Sequence, residues 1–161
     1  MTTERPFLGR RQFLGASAGL LAASHLAARA AVRGVQPTSE PLDFLFLGGT
    51  GFIGPHQIEY ALARGHRVTM FNRGRRGGMF GDSVEELTGD RDPEVGEGLA
   101  ALEGERRWDV VVDNSGYVPR HVRASAELLK DRCDSYVYVS TVAVYDYDRQ
   151  SSVDRNGPLL A

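Results

Sequence analysis

Three glycines, Gly48, Gly51 and Gly54, stand at three-residue spacing in the run Gly48-Gly49-Thr50-Gly51-Phe52-Ile53-Gly54. A turn built this way closes tightly without Cβ clashes. It also leaves backbone N–H groups free at the start of a helix, where the positive end of the helix dipole favours an anion such as a pyrophosphate. A glycine cluster by itself is only a turn. Here an apolar stretch, Leu42 to Leu47, interrupted only by Asp43, runs straight into it, and a helical pattern follows. That context points to a dinucleotide site.

A second anchor for such a ligand belongs about 20 residues further on, at the end of the next strand. Asn72 and Arg73 occupy that place. An acid there would hold the ribose hydroxyls of NAD and repel a 2′-phosphate. Asn72 is neutral, and Arg73, Arg75 and Arg76 cluster just beyond it. A charge-assisted bond from one arginine is worth about 1.5–3 kcal/mol, which favours NADP over NAD. The plainer reading of the cluster is a solvated basic loop.

The elements that must position these residues follow from periodicity. Ile53 to Arg64 carries Ile58, Ala61 and Leu62 at helical spacing, tolerates Pro55 in its first turn, and meets a natural C-cap at Gly65. Arg67 to Phe71 and Glu85 to Thr88 read as the second and third strands. Asp92-Pro93 reads as N-cap and first position of a helix over Glu94 to Glu103, closed by Gly104. Trp108 to Asp113 is a strand of buried type, Pro119 to Arg132 a helix, and Tyr136 to Val139 a fifth strand. Alternation at these lengths predicts an α/β fold, a doubly wound parallel sheet of Rossmann type, truncated after the fifth strand. Tyr136 to Val139 would then be an exposed edge, open to a homodimer by strand pairing, and residues 31–161 alone would be of marginal stability.

The whole chain has 161 residues, 42% hydrophobic and 25% charged, with 19 basic and 21 acidic side chains. That suffices for one domain with a real core. A formal charge of −2 argues against a nucleic-acid wrapper or a polybasic membrane binder. Cys133 is the sole cysteine, and His25, His56, His66 and His121 show no ligand spacing, so no metal site is expected. Residues 1–30 read as an export signal: Arg5, Arg10 and Arg11 precede the apolar run Phe13 to Ala23, and Ala28-Arg29-Ala30 suits a peptidase. The run is too short to be a stable membrane span. Gly9-Arg10-Arg11-Gln12-Phe13-Leu14-Gly15 resembles a twin-arginine signal, departing from it at Gly9 and Gly15. The expected location is therefore periplasmic or extracellular. Cleavage after Ala30 removes Glu4 and four arginines, taking the charge from −2 to −5. Residues 31–41 form a polar linker, 42–148 the NAD(P)-binding domain, and 149–161 an irregular tail that begins a missing substrate part.

The glycine run, Phe71-Asn72-Arg73-Gly74, Gly89-Asp90-Arg91 and Val139-Ser140-Thr141-Val142-Ala143-Val144-Tyr145 together resemble the extended short-chain dehydrogenase/reductase family, more narrowly its NAD-dependent epimerase/dehydratase branch. The resemblance spans Leu42 to about Asp148. It implies that Gly48, Gly51 and Gly54 cradle the pyrophosphate with Thr50 in the turn, and that Phe52 and Ile53 lend backbone contacts. It also implies that Asp90 accepts from the adenine amino group, although Asp90 could equally be a turn cap. Asn114 would lie in the loop along the nicotinamide ribose. Thr141 matches the catalytic hydroxyl that bonds the substrate oxygen, unless it only satisfies a strand-end backbone group. The family's Tyr-x-x-x-Lys pair, in which the lysine lowers the tyrosine pKa, is not found. The only lysine, Lys130, follows Ala126 by four residues, and Tyr145 is followed at that spacing by Arg149.

The reading this favours is an NAD(P)-dependent epimerase, dehydratase or reductase acting on a sugar nucleotide or similar small molecule, incomplete as it stands. A non-catalytic NADP(H)-binding regulatory or sensor module is the alternative. RNA binding, as in some relatives of the extended family, sits poorly with the acidic balance, and no nucleic-acid partner is expected.

Overall fold

The computed structural model describes residues 34–144. Five strands, β1 (Asp43–Leu47), β2 (Arg67–Asn72), β3 (Glu85–Thr88), β4 (Trp108–Asp113) and β5 (Cys133–Tyr138), form one parallel sheet in the order β3-β2-β1-β4-β5. The chain enters at the centre, moves outward through β2 and β3, then returns past β1 to β4 and β5. This reversal places a crevice at the carboxyl ends of β1 and β4. Two helices cover the sheet, α1 (Gly54–Ala63) after β1 and α2 (Pro119–Leu129) after β4.

Side-chain alternation along the strands separates two cores. Phe46, Val68, Met70 and Val112 pack with Ile58 and Ala61 of α1 on one face. Leu45, Leu47, Phe71 and Val111 pack with Leu129 of α2 on the other. Both helices carry proline in their first turn, where its missing N–H costs nothing. Gly65, at φ +87°, closes α1 as its sequence position predicts, and His66 N–H then donates to Ala61 O over 3.0 Å.

The segment over 94–103 differs from expectation. It forms successive turns and one 3-10 turn at Ala100–Leu102 rather than an α-helix. Gly96 and Gly98 adopt φ of +57° and +51°, outside the helical region. Each glycine in a helix interior costs about 1 kcal/mol, and two within one short segment outweigh the Asp92-Pro93 start signal. Asp92 does cap, but caps a turn, accepting Glu94 N–H at 3.2 Å. Leu99 and Leu102 fill the core beside α2 from these turns. Strand β5 begins at Cys133, earlier than predicted, because pairing with β4 runs from Trp108 opposite Cys133 to Asp113 opposite Tyr138. Among the described residues β5 pairs with β4 alone. No helix among them is long and apolar enough to cross a membrane. The export signal, the start of the linker, the end of the domain after Val144 and the tail lie outside the described residues.

Candidate functional site

A cleft of about 520 Å³ opens at the carboxyl ends of the strands. The turn between β1 and α1 forms its floor, with Gly48, Thr50 and Gly51 lining it. Each glycine of the run has a different reason to be there. Gly48 sits at φ +80°, and a Cβ on it would meet Ser115 Cβ at 2.8 Å. A Cβ on Gly54 would come within 2.5 Å of the carbonyl oxygen of Gly49, which is backbone and cannot step aside. At Gly51 nothing lies within 4 Å of the added atom, so the space a side chain would take belongs to the cleft. Helix α1 begins with neither a side-chain cap nor an acidic residue in its first turn, leaving its positive end open to an anion. Phe52 is 96% exposed, and Ile53 is exposed as well, so what they offer here is backbone.

The exits of β2 and β3 form one side. Asn72 Oδ1 accepts Gly74 N–H at 2.5 Å, which fixes the bend that carries Arg73, Arg75 and Arg76 along the cleft. Arg76 also reaches back to the carbonyl of Thr50 at 3.3 Å. Asp90 Oδ1 accepts Asp92 N–H at 2.9 Å, so Asp90 is a turn cap and a cleft residue together. The opposite side comes from β4 and α2. Asn114 Nδ2 donates to Gly48 O at 3.1 Å and to Gln57 Oε1 at 2.7 Å, locking its loop to the glycine turn. Ser115, Tyr117 and His121 complete this wall.

Beneath the cleft lies a polar network that sequence reasoning missed. Asp113, fully buried at the end of β4, accepts from Arg91 Nη2 at 2.5 Å, from Tyr136 OH at 2.7 Å and from Ser115 N–H at 3.1 Å. Ser125 of α2 shares a 2.7 Å hydrogen bond with the same tyrosine hydroxyl. The signal was an acid ending the run Val110-Val111-Val112, where an apolar residue would continue the core. Burial, and the Asp113 carboxylate that accepts its hydrogen bond, push Tyr136 up to about 12. A phenol held there keeps its proton and is no general acid or base near neutrality. Asp92, by contrast, is lowered to about 2 by the Arg120 guanidinium beside it.

Thr141 lies beyond β5, exposed and outside the cleft lining, where its Oγ1 accepts Ala143 N–H at 3.2 Å. The structure thus brings together Gly48, Thr50, Gly51, Asn72, Arg73, Asp90 and Asn114, with Gly54 behind the turn, and leaves Thr141 apart. Among the described residues no group of histidine, cysteine and acidic side chains is placed to hold a metal.

Among the described residues, the buried side-chain polar atoms without a hydrogen-bond partner are Asn72 Nδ2, Arg91 Nε and Nη1, Asn114 Oδ1, both ring nitrogens of His121 (Nε2 lying 3.5 Å from Asp92 Oδ2), and Trp108 Nε1. All but the last belong to residues lining this cleft. Native folds leave few such groups unpaired, and here they gather in residues around one cleft. An open cradle at Gly51, a free helix start and these atoms fit a nicotinamide dinucleotide.

Residues 44–159 match the sequence profile described as the NAD dependent epimerase/dehydratase family. The chain is 30% identical over 115 residues to the chloroplast stem-loop binding protein of 41 kDa b from Arabidopsis thaliana, covering 63% of this chain and 29% of that protein. Two solved structures share the fold. The terminal R domain of the myxalamid PKS-NRPS biosynthetic pathway superposes with a TM-score of 0.56 and 17% identity, over 87% of this chain and 47% of that one. The reductase domain of the aureusimine biosynthetic cluster gives 0.52 and 16%, over 97% of this chain and 50% of that one. This chain therefore spans less than a third of the curated relative and about half of each solved chain.

Proposed function

The chain belongs to the NAD dependent epimerase/dehydratase family, and from that premise we propose that it binds NADP(H) in this cleft and serves an epimerase, dehydratase or reductase reaction on a sugar nucleotide or similar small molecule. The observation that carries the reading is the gathering of partnerless buried polar atoms and exposed arginines around one glycine turn. The turn from Gly48 to Gly54 would hold the pyrophosphate against the start of α1. Arg73, Arg75 and Arg76 would meet the 2′-phosphate, Asp90 the adenine amino group and Asn114 the ribose on the nicotinamide side. The bound dinucleotide supplies hydride transfer. In this reading Thr141, just beyond β5, would offer its hydroxyl hydrogen to the substrate oxygen from outside the cofactor cleft, and residues 1–30 direct export by the twin-arginine route.

The second reading, a binding module without turnover, draws support from Thr141, which lies outside the cleft lining with its Oγ1 accepting Ala143 N–H. The Arabidopsis relative is named for stem-loop binding. In this chain, with a formal charge of −2, we assign the arginine cluster to a nucleotide phosphate rather than to RNA. Titration of the purified chain with NADPH and NADH, read by nicotinamide fluorescence, tests the proposal. NADPH is expected to bind roughly 10- to 150-fold more tightly. Equal affinities would remove the NADP assignment, and no binding of either would remove the cofactor reading.

A further inference from the structure

The segment that leads into β1 crosses the surface as a strap, and few contacts hold it. From Gly34 to Leu42 its side chains are exposed apart from Val35 and Thr38, which are half-buried. Burial therefore contributes little, and hydrogen bonds decide where the strap lies. Pro37 and Pro41 stiffen it and bring no N–H of their own. The amide that follows each proline carries an attachment. Thr38 N–H donates to Arg64 O at 2.8 Å, and Leu42 N–H donates to His66 Nδ1 at 3.1 Å. Between these anchors Glu40 N–H donates to Thr38 Oγ1 at 3.2 Å, which folds the strap into one unit.

The second anchor is titratable. Nδ1 accepts a hydrogen bond only while the ring is neutral with its proton on Nε2. In the imidazolium both nitrogens are donors, and two N–H groups would face each other. The ring is held in place, tilted against Phe44 with centroids 5.0 Å apart, in the wall of an open cavity of about 520 Å³ on the α1 side of the sheet. His56 and Tyr60 of α1 share that cavity. Arg64 is the charged group that acts on the ring, while Asp43 and Arg67 pair with each other over 2.7 Å. Burial, and the Arg64 guanidinium, both disfavour the charged ring and hold it below its ordinary value.

We propose that His66 is a pH-sensitive latch: neutral, it fastens the strap over 38–42 to the domain, and protonated, it lets go of Leu42 N–H and frees the strap. The strap then hangs on the one bond to Arg64 O. Leu42 O keeps its own bond from Arg67 N–H at 2.9 Å, so the release stops at the strand. Because the folded state prefers the neutral ring, the attachment is complete above about pH 6.5 and is lost as pH falls below it. His66 lines no part of the cofactor cleft, and the latch is independent of the dinucleotide reading.

The test uses the full 161-residue chain and amide hydrogen exchange, read as protection relative to an unstructured chain at each pH. Protection of the Leu42 and Thr38 amides is expected to fall at least about threefold as the His66 ring, followed by NMR in the same sample, takes up its proton. This measurement needs no variant to fold. Two variants then separate the hydrogen bond from the charge. His66→Asn places an amide oxygen where Nδ1 stood and is expected to keep Leu42 protected across the whole range. His66→Ala removes the acceptor and is expected to leave Leu42 unprotected throughout. Leu42 protection that does not follow the ring, a His66 midpoint above its ordinary value, or a wild-type pH dependence retained in His66→Asn would overturn the latch. Loss at Leu42 with Thr38 unmoved would overturn the release of the strap.

Discussion

Ser115 stands against Gly48 so closely that a Cβ on the glycine would lie 2.8 Å from the serine Cβ and 2.9 Å from its hydroxyl. The serine cannot retreat, because its Oγ donates to Leu47 O at 3.0 Å and its N–H to Asp113. The turn after β1 and the loop after β4 are therefore fitted to one another by contacts within the protein itself.

That fit separates the glycines by experiment. Gly48→Ala is expected to lower stability by about 1–3 kcal/mol, from its positive φ and the Ser115 contact. Gly54→Ala is expected to cost more, since the obstacle is the backbone of Gly49. Gly51→Ala should leave stability within about 0.5 kcal/mol of wild type, yet weaken NADPH binding, because its methyl enters only the cradle. Thermal melts paired with fluorescence titration check the series. NADPH binding by Gly51→Ala at wild-type strength would place the ligand elsewhere.

Asp113 and Arg91 form an ion pair with both side chains out of water. Asp113→Ala leaves the arginine uncompensated and is expected to cost about 3–5 kcal/mol. The double variant Arg91→Met/Asp113→Ala should recover part of that loss, since no lone charge stays buried. Urea unfolding of both variants reads the difference. A cost below about 1 kcal/mol for Asp113→Ala would mean that water reaches the pair.

Tyr136 makes the same network sensitive to alkali. Its folded value is raised from 10 to about 12, so the folded state retains the phenolic proton while the unfolded chain gives it up. The contribution is complete below pH 10 and is lost as pH rises towards 12. The melting temperature should fall across that window, and Tyr136→Phe should flatten this part of the profile. Removing the hydroxyl also takes a hydrogen bond from a buried carboxylate, a loss of about 1.5–3 kcal/mol at neutral pH. An identical alkaline profile in the variant would exclude Tyr136 as the group responsible.

The parts of the fold legible in the sequence were those fixed by local chemistry. The apolar run of β1, the turn glycines and the cap at Gly65 each depend on neighbours within a few residues, and all appear where their pattern puts them. The segment after Asp92 misled because the start signal Asp92-Pro93 and the stop at Gly104 enclose Gly96 and Gly98, whose positive φ decides the conformation. In the cleft, Asn72 and Arg73 could be placed by distance along the chain, since β2 must end beside β1. The Arg91–Asp113–Tyr136 network could not. Its members come from the exit of β3, the end of β4 and the middle of β5, and only the strand order brings them together.

Asn72 offers the sharpest test of cofactor choice. Its Oδ1 accepts the N–H of Gly74, a bond that an aspartate can make equally well, while its Nδ2 has no partner to lose. Asn72→Asp should therefore keep the bend that carries the arginines and alter only the charge facing the ribose. A carboxylate there repels a 2′-phosphate and accepts from a 2′-hydroxyl. NADPH affinity is thus expected to fall at least about tenfold and NADH affinity to rise. Replacing Arg73, Arg75 and Arg76 with alanine should also weaken NADPH, but without improving NADH, because no acceptor is gained. The wild-type preference should shrink as salt is raised, since these three arginines are exposed and their attraction is screened over about 8 Å at physiological ionic strength. If Asn72→Asp and the arginine variant leave the NADPH-to-NADH ratio where it began, the exit of β2 does not read the ribose.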